Sequence, residues 1–196
     1  SVGLRNRGLR HGQRAIVMAP MSIDLYIVLL AVLKLGAAAV FVDPWISRRQ
    51  IAAFAAFADP SAFIGIAKSH WLRWLERRLR TICLSVTTGR RFLRFPARHT
   101  LAELLNSPGD GIIEPVALDD AALITFTSGS SGVPKGANRT HGFLISQHEA
   151  LKSEFPYDDA DVDMPMFPVF ALNNLATGIT SIARRANHAS SRELMK

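Results

Sequence analysis

Cysteine is almost missing from this chain, tyrosine is scarce, and no apolar stretch runs unbroken for the length a bilayer requires. With Cys83 as the single thiol, no disulfide can form within the chain and nothing calls for an oxidising compartment, so a cytoplasmic setting is the expectation. The longest apolar run, Leu25 to Val42, follows a basic N-terminus and contains Ala37-Ala38-Ala39, which mimics a signal-peptide cleavage site. Lys34 and Gly36 interrupt it. A buried helix ending at the glycine and then a strand explains the break, and no transmembrane segment is expected. Acidic residues are the minority, 16 against 23 Lys and Arg, for a net charge of +7. The arginines gather at Arg5 to Arg14, Arg73 to Arg98 and Arg184 to Arg192, without the interleaved aromatics of a single-strand platform and without a DNA-binding motif. They read as a solvated basic surface, and no nucleic-acid partner is expected. Low-complexity tracts and internal repeats are also absent, which with 48% hydrophobic residues excludes a disordered chain. A chain of 196 residues is long enough for one sizeable domain that buries roughly 70% of its unfolded surface.

What is present alternates strand with helix. Gly12 turns into a strand at Ala15 to Ala19, a long buried helix follows over Ile23 to Leu35, and Ala38 to Val42 is the next strand. Ser47 and Gln50 form a capping box for a helix through about Phe57, with Ile51, Phe54, Ala55 and Ala58 at helical spacing. Ala62 to Ile66 is a short strand. Ser69 to Arg80 reads as one amphipathic helix, with Trp71, Leu72, Trp74, Leu75 and Leu79 on its apolar side. Ile82 to Val86 is a strand, Thr100 with Glu103 gives another capping box, and Ser107 to Gly111 is a loop. Thr140 caps a helix over Gly142 to Glu154, the acidic loop Tyr157 to Asp163 follows, and Met166 to Leu172 is one more buried element. After Gly178 the apolar order lapses, and residues 179–196 read as a loose basic tail. The pattern specifies an α/β domain with a mixed, partly parallel sheet flanked by helices.

One segment carries chemistry. Leu123 to Gly136, Leu-Ile-Thr-Phe-Thr-Ser-Gly-Ser-Ser-Gly-Val-Pro-Lys-Gly, is an apolar strand leading into glycines, hydroxyls and one lysine. Glycines let backbone N–H groups approach an anion, hydroxyls add donors, and Lys135 adds a full charge, so the loop suits phosphate. It is not a Walker A loop, because Pro134 and Gly136 flank Lys135 where glycine and Ser or Thr are required. It is not a hydrolase elbow, because Val133 stands two residues after Ser131. The bland alternative is a flexible Gly/Ser hairpin, which the stiff, charged Pro134-Lys135 end argues against. Other candidates fall by spacing: His148-Glu149 lacks the second histidine of a zincin, and Asp159, Asp161 and Asp163 are followed by Met164 where a calcium loop has glycine. His141 and His148, two turns apart, have no third metal ligand in view and read as surface or capping residues.

Thr127-Ser-Gly-Ser-Ser-Gly-Val-Pro-Lys-Gly136 closely resembles the signature loop of the adenylate-forming, AMP-binding superfamily, which includes acyl-CoA synthetases, luciferases and peptide-synthetase adenylation domains. Ala31-Val-Leu-Lys-Leu-Gly-Ala-Ala-Ala-Val-Phe-Val-Asp-Pro44 resembles the family's helix-to-strand segment, and Gly12-Gln13-Arg14 and Thr140-His141 are further similarities. The resemblance covers most of residues 8–178 and implies a partial N-terminal domain of the adenylate-forming fold. It implies ATP and Mg²⁺ as cofactors, a fatty acid-like carboxylate as substrate, and CoA as the acceptor in the acyl-CoA branch. In that chemistry the carboxylate attacks the α-phosphate of ATP, releasing pyrophosphate, and a thiol then displaces AMP. By resemblance Thr127, Ser128, Ser130 and Ser131 donate hydroxyls, Gly129, Gly132, Val133 and Pro134 shape the backbone, Lys135 contacts phosphate as the catalytic cation, and Thr127 helps hold Mg²⁺.

Met166-Phe-Pro-Val-Phe-Ala-Leu172 resembles the family's next motif, with Ala171 where many acyl-CoA synthetases carry histidine, and this variant is similar to the olefin β-lactone synthetase subgroup. The family's Mg²⁺-binding glutamate, ribose-gripping aspartate and small C-terminal domain have no counterpart here. The expectation is therefore an N-terminal fragment, inactive alone, whose partner is the missing C-terminal part of the same enzyme; a non-catalytic nucleotide-binding remnant is the alternative.

Overall fold

The computed structural model describes residues 1–42, 48–89, 97–127, 135–158, 160–165 and 167–182. A short N-terminal helix, α1 (Val2–Asn6), precedes β1 (Arg14–Met18), and α2 (Ile23–Lys34) leads to β2 (Ala38–Phe41). The apolar run that imitated an export signal is thus a helix and a strand. Ser22 starts α2 by accepting the Leu25 N–H at 3.3 Å, and Gly36, at φ +62°, turns the chain out of it. A side chain at Gly36 would run into the His11 ring. No helix among the described residues is long and apolar enough to cross a membrane.

The next elements are α3 (Arg48–Ala58), β3 (Ala62–Gly65), α4 (Ala67–Leu75), α5 (Arg77–Arg80), β4 (Leu84–Thr87), β5 (His99–Thr100) and α6 (Leu101–Leu105). Ser47 lies outside the described residues, but Ile51, Phe54, Ala55 and Ala58 are the buried positions of α3, as their spacing requires. The capping box of α6 is present: Glu103 N–H donates to Thr100 Oγ1 at 3.2 Å and Thr100 N–H to Glu103 Oε2 at 3.0 Å.

The single helix expected over Ser69 to Arg80 is two. Glu76 leaves the helical region (φ −95°, ψ 117°), and its carboxylate accepts the Arg78 N–H to start α5. The buried face also differs from the apolar one: Ser69 and His70 are fully inside, whereas Trp71 and Trp74 are 47% and 48% exposed. Hydrogen bonding decides this. Ser69 Oγ donates to the Ile66 carbonyl at 2.7 Å and His70 Nε2 donates to the Val86 carbonyl at 3.1 Å, so each of these polar side chains finds a backbone carbonyl at the ends of β3 and β4, while His70 Nδ1 is buried without a hydrogen bond.

The chain continues as β6 (Ala121–Thr127), β7 (Lys135–Thr140), α7 (His141–Glu154), β8 (Val162–Asp163), α8 (Pro168–Thr177) and β9 (Thr180–Ser181). The main sheet has the order β5-β4-β3-β1-β2-β6-β7, parallel except for the final antiparallel pair. α2, α6 and one side of α7 and α8 contribute to the core on one face, and α3 to α5 to the core on the other, around Ile16, Val40, Phe63 and Ile124. The expected mixed sheet between helices is present. One boundary moves: Thr180 and Ser181 pair in parallel with Val162 and Asp163, so regular structure continues past Gly178, while residues 183–196 lie outside the described part.

His70 gives the fold an acid-sensitive point. Burial, followed by the nearby Arg73 charge, holds its imidazole down at about 4 against an ordinary 6.5, with the Val86 and Gly65 carbonyls opposing. The unfolded chain therefore binds the proton more readily, and stability present at neutral pH is lost as pH falls from 6.5 towards 4. Urea unfolding across that window should show a loss of about 3 kcal/mol from this group, and His70→Gln should flatten the slope accordingly. An unchanged slope would place the acid sensitivity elsewhere.

Candidate functional site

The sheet fixes where the signature loop leaves the core. β6 lies parallel beside β2, with Ala39, Val40 and Phe41 opposite Leu123, Ile124 and Thr125. Its carboxyl end therefore opens on the same edge as the carboxyl ends of β1, β2 and β3. The strand order departs from β1 in both directions, to β2 on one side and β3 on the other. That is the edge on which open parallel sheets bind ligands.

The segment after β6 returns as β7. Thr127 pairs with Lys135, Phe126 with Gly136, Thr125 with Ala137 and Leu123 with Arg139. Phosphate loop and hairpin, posed as alternatives by the sequence, are therefore compatible: the loop is carried on an antiparallel hairpin. Strand β7 was not foreseen because Lys-Gly-Ala-Asn-Arg-Thr has no apolar alternation, as befits a polar edge strand. Ser128, Gly129, Ser130, Ser131, Gly132, Val133 and Pro134 lie outside the described residues, and of Thr127 and Lys135 the backbone alone is described.

The hairpin is gripped on both faces. On one, Phe126 stacks on Phe54 with ring centroids 3.8 Å apart and meets Phe57 edge-on at 5.9 Å. Gly136 sits under Phe57, and a Cβ there would lie 3.1 Å from its ring. On the other, Arg139 Nη1 donates to Thr125 Oγ1, and the guanidinium stands 5.9 Å from the Phe143 ring centroid. Residues 135, 137 and 139 share one strand parity, so Arg139 lies in the row that begins at Lys135. The period-two spacing from Lys135 was the sequence signal for Arg139.

Helix α7 starts where expected, with Thr140 Oγ1 accepting the Phe143 N–H at 3.1 Å. His141 N–H donates to the Asp120 carbonyl at 3.0 Å, and Asp120 also faces His11 at 3.4 Å. Burial pushes the His141 imidazole pKa down, against the pull of Asp120 and with a contribution from His11. His148 Nδ1 donates to Asn173 Oδ1 at 2.8 Å. The buried element expected at Met166 to Leu172 is the start of α8, but its inward residues are Ala171, Asn173 and Asn174, with Phe167 largely exposed. Asn174 Nδ2 donates to Asp163 Oδ2 at 2.6 Å and Ser181 Oγ at 3.0 Å, which ties α8 to β8 and β9. Asp163 is thereby a structural acceptor, and among the described residues no group of three or more His, Cys, Asp or Glu is arranged to hold a metal. The adjacent asparagines inside an apolar helix were the available signal for this junction.

Comparison with known proteins agrees with this arrangement. Residues 1–185 match the AMP-binding enzyme family, and the chain belongs to it. It is 37% identical over 182 residues to the olefin beta-lactone synthetase of Stenotrophomonas maltophilia, a match covering 93% of this chain and 33% of that protein. It is 31% identical over 196 aligned residues to 4-coumarate–CoA ligase-like 8 of Arabidopsis thaliana, covering 91% of this chain and 34% of that one. The apo structure of MbtA from Mycobacterium smegmatis shares the fold, with a TM-score of 0.81 at 20% identity over 98% of this chain and 38% of that one. The architecture is that of the N-terminal domain of adenylate-forming enzymes. The chain spans about a third of the length of the curated relatives it matches.

The Arg139 to Thr125 bond is the testable joint of the hairpin. Thr125→Val keeps the β-branched shape and removes the acceptor, and should cost about 1.5 to 3 kcal/mol in chemical denaturation. No loss would show that Phe126 alone seats the hairpin.

Proposed function

We propose that this chain supplies the phosphate-binding part of an ATP-dependent, carboxylate-activating enzyme that forms an acyl-adenylate. What supports the reading is the position of the motif: a glycine- and hydroxyl-rich loop that leaves the carboxyl end of a parallel strand at Thr127 and re-enters a strand at Lys135. The donor set suits Mg²⁺-bound polyphosphate, since backbone N–H groups at Gly129 and Gly132, the hydroxyls of Thr127, Ser128, Ser130 and Ser131, and Lys135 oppose negative charge without competing acceptors of like sign. Lys135 is assigned to phosphate and Thr127 to the Mg²⁺ side of the site. A carboxylate is a poor electrophile, and attachment to AMP supplies the leaving group that a later nucleophile displaces. The substrate is a fatty acid-like carboxylate, and the acyl group passes to a thiol such as that of CoA. The chain by itself is proposed to be inactive, because the curated relatives carry about two thirds of their length beyond the part it matches.

A second ending of the same reaction stands beside the first without displacing it, and the observation that suggests it is the 37% identity to an olefin beta-lactone synthetase. In that ending a β-hydroxy acid is adenylated and its own hydroxyl displaces AMP to close a ring. Ala171, at the position where many acyl-CoA synthetases carry histidine, is buried, with 2% exposure.

Two measurements test the proposal. Pyrophosphate release with a panel of carboxylates should be absent from the chain alone and appear once it is joined to the remainder of such a relative, with the product, thioester or lactone, deciding the ending. No release from the joined protein would overturn the assignment. In calorimetry, Lys135→Ala should weaken binding of a nucleotide polyphosphate roughly 10- to 150-fold, the loss of one charged hydrogen bond. Unchanged affinity would remove Lys135 from the site.

A further inference from the structure

Helix α4 lies on the sheet with its polar side inward. Ser69 and His70 are fully buried and Arg73 is partly so, whereas Lys68 is exposed and Trp71 and Trp74 are about half exposed. At 3.6 residues per turn, Lys68, Trp71 and Leu75 share one stripe with Trp74 on its flank, opposite Ser69, His70 and Arg73. α5 then adds Arg77, Arg78 and Arg80, all exposed around the buried Leu79. We propose that this outward face, the two indoles with the cations of Lys68 and α5, is a docking surface for an anionic lipid bilayer.

Three observations carry this. The first is that α4 is held in this orientation. Ser69 Oγ donates to the Ile66 carbonyl at 2.7 Å, His70 Nε2 donates to the Val86 carbonyl at 3.1 Å, and the His70 ring meets Phe63 edge-on at 5.2 Å. Rolling the tryptophans inward would strip the imidazole of its acceptor, so the indoles stay outside although this leaves apolar area in water. The second is the sign of the charge. From Lys68 to Arg80 the sequence has five cations and one carboxylate, Glu76, and that carboxylate accepts the Arg78 N–H at 3.5 Å. Arg48 of α3, also exposed, donates from Nη2 to the Leu75 carbonyl at 3.0 Å and brings a further guanidinium to the end of α4.

The third is the pairing of residue types. An indole is an apolar body with one N–H and is most stable where hydrocarbon meets water, while a cation on a flexible stem reaches from there to a phosphate. A bilayer rich in anionic lipid offers both layers as a continuous plane, which suits the convex outside of a helix. Single-stranded nucleic acid instead takes successive aromatics along a basic groove, and a folded protein would have to present an acidic rim around an apolar hollow. α4 has nine residues, too few to cross a membrane, so the contact is peripheral, with the rings at headgroup depth. The surface uses no residue of the hairpin loop, and loss of nucleotide binding would leave it untouched.

The test is flotation of the 196-residue chain with vesicles of phosphatidylcholine alone, or of phosphatidylcholine carrying about 30% phosphatidylglycerol, in roughly 0.1 M salt. The chain should bind the anionic vesicles roughly tenfold or more tightly than the neutral ones. Equal binding to both, or to neither, overturns the proposal. Arg77→Gln with Arg80→Gln should weaken the anionic binding roughly 10- to 30-fold. The control pair Lys34→Gln with Lys152→Gln, on α2 and α7 across the sheet, should weaken it less than about threefold. An equal loss in both pairs would reduce the effect to net charge and overturn the assignment to this face. A single-stranded RNA that displaces the chain from the vesicles and binds more tightly than they do would make the surface a nucleic-acid site, and overturns it too. A measurement that leaves the surface intact uses Trp45→Phe, in which Trp71 and Trp74 are the only tryptophans. Brominated phosphatidylglycerol in the vesicles should lower their fluorescence roughly twofold, and unquenched emission from vesicle-bound chain would show that another face makes the contact.

Discussion

Ala39, Val40 and Phe41 of β2, set beside Leu123, Ile124 and Thr125 of β6, hold together two stretches of chain more than eighty residues apart. The β6–β7 hairpin, and with it the position of Thr127 and Lys135 at its end, hangs on that short parallel ladder. β6 extends the sheet formed by β1 to β4, and its Leu123 and Ile124 enter the cores on the two faces, so the last third of the described chain joins the sheet through it. Parallel pairing of a strand buried on both sides demands continuous apolar sequence, and Ala121 to Phe126 supplies it apart from Thr125. Thr125 is the exception because its hydroxyl takes the Arg139 guanidinium, which locks the next strand in register.

Much of this was legible in the sequence, and the reason is periodicity. Buried parallel strands such as Ile16 to Met18 and Phe63 to Ile64 announce themselves as apolar runs. The helices between them carry caps whose partners are three residues away, as Thr100 with Glu103 and Thr140 with Phe143 show. What escaped were elements whose stability comes from elsewhere. β5 is two residues long and exists because Val86 and Thr87 offer it a ladder. β7 has no apolar alternation, since among the described residues no strand pairs with its outer edge and its inner edge is carried by β6. α4 shows the opposite error, in which a strong apolar signal misled: two tryptophans outweighed a histidine in the pattern, but the histidine had a carbonyl to bind and went inside.

The proposed phosphate-binding role was read from chemistry and not from architecture. Hydroxyls, glycines and a lysine in the order Thr127 to Lys135 point to phosphate whatever carries them, so the motif could be recognised without knowing that it caps a hairpin. The supporting residues have no such signature. Arg139, Asn173 and Asn174 matter through the atoms they meet, Thr125, His148, Asp163 and Ser181, and those meetings are set by the sheet order and the packing of α8. Sequence spacing could suggest Arg139, two positions beyond Ala137 on the same strand face, but it could not name the partner.

This division bears on how the fold carries a short segment rich in glycine and serine. A segment rich in glycine and serine contributes little apolar burial and tends to fray unless both its ends are fixed. Here the ends are fixed by groups outside it: the Phe126 ring stacked on Phe54 below the strand pair, the Arg139 to Thr125 bond above it, and the Thr140 cap that passes the chain into α7. Because these anchors stand at residues 125, 126, 139 and 140, both strands of the hairpin are held by groups outside the segment that joins them.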